Sequence, residues 1–100
     1  MIEASTAWTH LFPGAAVVLP GPDELRPVGL VINFADGARA QAEVLLPAGG
    51  GAAGALLSVT AHTTGAGTAL PARMWLIRAA EPGPDGLVLR LGGRVPPGSP

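Results

Sequence analysis

Residues 28–46, VGLVINF-ADG-ARAQAEVLL, constrain this chain more than any other stretch. Val28, Leu30, Ile32 and Phe34 recur at a spacing of two, which places them on one face of an extended arm. A second arm alternates in the same way. Ala38, Ala40, Ala42, Val44 and Leu46 take one face, and Arg39, Gln41 and Glu43 take the other. Between them lies Asp36-Gly37, the pair selected by a two-residue primed turn whose central positions both need positive φ. The pattern predicts a half-buried β-hairpin to which the rest of the chain adds strands.

Further strands are predicted at AAVVL (15–19), ALLSVTAHT (55–63), ALPARMWLIRA (69–79) and LVLRL (87–91). In the fourth strand Leu57, Val59 and Ala61 share a face, opposite Leu56, Ser58, Thr60 and His62. Pro71 suits a strand end or edge, where no ladder donor is lost. Loops fall at 20–27, TGAGT (64–68) and EPGPDG (81–86), with a Gly-rich connection over 47–55. The 15 Gly and 11 Pro gather between apolar runs, as turns do in a folded β protein. Six strands and no helical period predict an all-β fold: a small six-stranded antiparallel barrel over residues 13–92. Closure removes edges that so apolar a chain would expose. Residues 1–12 read as an N-terminal arm anchored by Trp8, Leu11 and Phe12, and residues 93–100 as a flexible tail.

A chain of 100 residues supports one core. Aromatics are only 4% of a sequence that is 48% hydrophobic, so that core is built from Ala, Val and Leu. The net charge is −1, with no Lys and six dispersed Arg, which argues against nucleic acid or an anionic membrane as partner. No Cys means no disulfide, thiolate metal site or Cys nucleophile. The first residues lack the basic start and apolar centre of a signal peptide, and no run is long enough to span a bilayer, so a cytoplasmic location is expected.

Nothing in the chain forms a catalytic motif. His10 and His62 lie far apart without an acidic ligand at short spacing, so no metal site is predicted. Ser5, Ser58 and Ser99 lack an elbow context, and the Gly clusters lack the Lys-Ser/Thr of a phosphate loop. No cofactor is implied. Arg73 and Trp75 share a strand face, and Trp75 reads either as core or as part of a binding surface. The Ala-rich face of Ala38, Ala40 and Ala42 raises a second reading: a barrel whose cavity holds a nucleotide or an apolar small molecule. A small barrel cyclase, with Glu43 or His62 turned inward, is a third.

Asn33-Phe34-Ala35-Asp36-Gly37-Ala38-Arg39, followed by LPARMWLIRA and GLVLRL, resembles the strand order and second motif of a PilZ domain over residues 12–92. An SH3-like or OB-like barrel shares the same strand pattern. The PilZ likeness implies ligand contacts at Asn33 and Arg39. It also implies an Arg-rich segment near residues 8–14, where this chain has no Arg, and a Ser where it has Ala35. Those arginines grip cyclic di-GMP by forked, charge-assisted bonds that His and Thr do not reproduce, so its binding is expected to be absent. What remains is an adaptor that works through protein contacts. Trp8, Leu11, Phe12 and Trp75 are candidate interface residues, and homodimerisation is a further expectation. In the competing reading the arm only plugs one end of the barrel.

Overall fold

The computed structural model describes residues 2–49 and 54–96. Residues 50–53 of the Gly-rich connection and 97–100 of the expected tail lie outside the described residues. The strands are β1 (Ile2–Ser5), β2 (Ala16–Leu19), β3 (Val28–Asn33), β4 (Arg39–Leu45), β5 (Leu56–Val59), β6 (His62–Thr63), β7 (Ala69–Leu70), β8 (Arg73–Gly83) and β9 (Gly86–Val95). Seven of them close a barrel in the order β1-β2-β9-β8-β5-β4-β3, and β6 with β7 forms a separate small hairpin. Among the described residues no helix is long and apolar enough to cross a membrane.

The all-β barrel is as the alternation predicts. Leu30 and Ile32 of β3, Ala40, Ala42 and Val44 of β4, and Leu57 and Val59 of β5 all turn inward. They join Leu87, Leu89 and Leu91 of β9 in one core. Register pairs large with small across the wall: Leu30 opposes Ala42, and Ile32 opposes Ala40. Each large side chain buried this way contributes about 1.5–3 kcal/mol.

The barrel has seven strands, not six, because residues 2–5 are part of the wall. β1 lies parallel to β3, with Ile2 opposite Leu30 and Ser5 opposite Asn33, and touches β2 at Ser5–Val18. Only Ala4 of this strand is fully buried, so four residues carry too weak an alternation to announce a strand. The expected arm is therefore a strand followed by a strap. At the other end of the chain β9 continues past Leu91 to Val95, paired with Met74 and Trp75 across an irregular register. Gly92 and Gly93 sit in that irregularity, as glycines in bulges do.

The turn at Asp36-Gly37 is not the two-residue primed form. Phe34 and Ala38 close it through Phe34 N–H to Ala38 O at 2.9 Å, and Gly37 N–H donates to Phe34 O at 3.0 Å. Gly37 has φ +90°, and no described residue other than glycine has positive φ. This is a three-residue loop in which Asp36 has no positive φ and only the glycine is left-handed. The tip at 64–68 repeats it: Thr64 N–H donates to Thr68 O, Gly67 N–H donates to Thr64 O, and Gly67 has φ +89°.

Candidate functional site

Two sequence segments expected as single strands each break in two. Val59 pairs with Arg73 in the barrel wall, and His62 pairs with Leu70 in the small hairpin. Between these pairs Thr60-Ala61 faces Pro71-Ala72, and the ladder stops on both sides. Proline has no N–H to continue it. The tip of the long hairpin leaves the wall at this bend, so Ala61 is exposed where alternation placed it inside. The β6–β7 unit continues past the bend as a flap that packs against the β3–β4 turn at one end of the barrel.

Three contacts seat the flap. The Phe34 and His62 rings stack at 5.3 Å with an interplanar angle of 12°. Asp36 Oδ1 accepts from Ala38 N–H at 3.0 Å, and its Oδ2 accepts from Gly65 N–H at 2.8 Å. Thr60 N–H donates to Gln41 O at 2.9 Å, holding the bend against β4. The Ala38 and Gly65 donors hold the Asp36 carboxyl below the ordinary carboxylate range. His62 Nδ1 lies 3.0 Å from the Thr60 carbonyl oxygen. A carbonyl only accepts, so this bond requires the proton on Nδ1.

Beneath the flap is a pocket of about 440 Å³, within the roughly 300–1,000 Å³ usual for small-molecule sites. Its walls are mainly apolar: Leu11, Val59, Leu70, Pro71 and Trp75. Thr9, Thr64 and Thr68 add hydroxyls, and His10, His62, Asp36 and Arg73 supply the titratable groups. Trp75 is 4% exposed and pairs with the inward Leu57, so it belongs to the core.

Arg73 is the unusual member. Leu30, Ala42, Val59 and Arg73 are successive partners across β3, β4, β5 and β8, so Arg73 takes an inward register position whose neighbours are apolar. Its Nε is buried and has no hydrogen-bond partner among the described residues. A buried donor left unpaired forfeits about 1–3 kcal/mol, and a charged one more. The two ion pairs among the described residues, Arg26–Glu24 and Arg39–Glu3, do not involve it.

The residues expected to bind ligand lie elsewhere. Asn33 and Arg39 are cross-strand partners on the outside of the barrel. Asn33 Nδ2 donates to Ala4 O at 3.3 Å, and Arg39 pairs with Glu3, so both fasten β1 to the wall. The expected interface is divided too. Trp8 is 49% exposed and meets Phe12 edge-on at 5.2 Å, whereas Leu11 and Trp75 are buried. Glu43 is exposed on the outer face, away from the pocket. Ala38, Ala40 and Ala42 are buried in the core but do not line the pocket, because larger residues on neighbouring strands fill the space beside them.

Alternation alone misses Arg73 as a site residue, although its place on the Trp75 face is the available signal. His10 and His62 are remote in sequence, and the strap and flap bring both to the same pocket. No group of three or more His, Asp or Glu among the described residues is placed to hold a metal. No protein-family model, curated protein or solved structure matches the chain.

Proposed function

We propose that this domain is a non-catalytic binding module that takes a small molecule in the barrel mouth beneath the β6–β7 flap. The observation that carries the reading is the pocket itself: apolar walls that include a buried tryptophan, with a few polar groups among them. Its one carboxylate, Asp36, already accepts backbone hydrogen bonds on both oxygens, which favours a structural role over acid–base work. Titration with a lipophilic dye tests the reading. In a Trp8→Phe background Trp75 is the sole tryptophan, and saturable dye binding shifts its emission. An unchanged spectrum at dye saturation removes the proposal.

A second reading, an adaptor of PilZ-like architecture without cyclic di-GMP binding, is favoured by Trp8. A half-exposed tryptophan braced edge-on by Phe12 is a surface that protein partners use, including a second copy of this chain. Light scattering on the unaltered chain and on Trp8→Ala tests the self-association arm. Loss of a dimer mass in the variant supports it, and a monomer in both removes it.

A further inference from the structure

Resting on the reading of the pocket as a small-molecule site, we infer that its ligand is an organic monocarboxylate with an apolar body, its head group held by Arg73. The pocket contains one permanently charged cation, and that cation occupies a position where the three preceding strands place Leu30, Ala42 and Val59. Arg73 lines the pocket, and among the described residues only its Nε is buried without a partner; its terminal nitrogens form no ion pair and are the donors that an acceptor in the pocket reaches. The guanidinium fork presents parallel donors that match the two oxygens of a carboxylate.

Charge selects among head groups. Asp36 is the pocket's other fixed charge, and its oxygens are committed to the Ala38 and Gly65 N–H groups rather than to Arg73. One guanidinium suits a single negative charge, and the Asp36 carboxylate lining the same pocket opposes a second one. A neutral head group gives the guanidinium a weaker partner, and a cation meets Arg73 with like charge. Leu11, Val59, Leu70, Pro71 and Trp75 then surround the apolar body.

A matched series tests this: decanoate, decanol and decylamine, each below its micellar concentration, titrated at neutral pH into the full chain carrying Trp8→Phe. Trp75 emission reports occupancy. Decanoate is expected to bind about tenfold or more tightly than decanol, with decylamine weakest. Arg73→Gln is expected to abolish the preference for decanoate and leave decanol binding within about twofold. Equal binding of decanoate and decanol overturns the monocarboxylate inference while the pocket reading stands. If none of the three perturbs Trp75, both fall. Should Arg73→Gln not fold, the comparison of head groups on the chain that retains Arg73 decides the matter alone.

Discussion

Gly65 and Asp36, 29 residues apart in the chain, are joined by a hydrogen bond of 2.8 Å from the glycine N–H to the carboxylate Oδ2. The bond ties the tip of the β6–β7 flap to the tip of the β3–β4 hairpin. Both tips are three-residue loops closed by a left-handed glycine. The roof of the pocket depends on this contact.

Gly65 admits no side chain at that contact. A Cβ there falls 2.5 Å from the Asp36 backbone oxygen, so Gly65→Ala must push the flap away from the turn. Overpacking of this kind costs about 1–3 kcal/mol. Urea melts should show the loss, and hydrogen exchange should accelerate over residues 62–70 while β9 stays protected. Unchanged exchange in the flap refutes the latch.

The same contact gives the fold an acid-sensitive element. The Ala38 and Gly65 N–H groups lower the Asp36 carboxyl in the folded chain. Their stabilisation is therefore complete above the unfolded value, about 4, and is lost as pH falls through the folded one. Thermal melts of the unaltered chain and Asp36→Asn should differ at neutral pH, with the variant less stable, and converge in acid. A difference that does not change with pH shows that the carboxylate charge contributes nothing.

Gly86 and Gly29 make a contrasting pair within the barrel wall. Gly86 has φ +140°, and a Cβ there collides with the Leu19 carbonyl, whereas a Cβ at Gly29 meets nothing within 4 Å. Gly86→Ala should leave little folded protein. Gly29→Ala should be neutral, or stabilising by about 0.5 kcal/mol, because alanine loses less backbone freedom on folding. Soluble yield and urea midpoints separate the two, and equal midpoints contradict the assignment.

With no Arg near residues 8–14 to grip it, cyclic di-GMP should produce no heat on titration, and micromolar binding overturns that expectation; Asn33 and Arg39 are instead engaged with β1. Their substitutions should differ in size. Arg39→Ala removes an exposed ion pair and should cost less than about 1 kcal/mol. Asn33→Ala removes a part-buried bond to the Ala4 carbonyl and should cost about 0.5–1.5 kcal/mol, with faster exchange in β1. Equal, negligible effects on β1 exchange refute its role at the seam.

Much of the wall is legible in the alternation of side chains. The inward residues of β3, β4, β5 and β9 are those the spacing of two selects, because a half-buried strand writes its burial directly into every second position. Alternation misleads where it is short or where the chain bends beneath it. Four residues of β1 hold one fully buried side chain, and the bend at Thr60-Ala61 and Pro71-Ala72 splits two runs whose alternation continues through it.

Local alternation and glycine's access to positive φ were enough to read an all-β chain, the inward residues of β3, β4 and β5, and the place of most hairpin turns. The seventh strand, its parallel seam against β3, and the docking of the flap on the β3–β4 turn emerge only once the chain is folded. So does the site: Arg73, His10, His62 and Asp36 come from four segments and meet at one pocket. Periodicity specifies which way a side chain points. Which distant side chains then share a space depends on closure and register across strands, and those are set by pairing over long range.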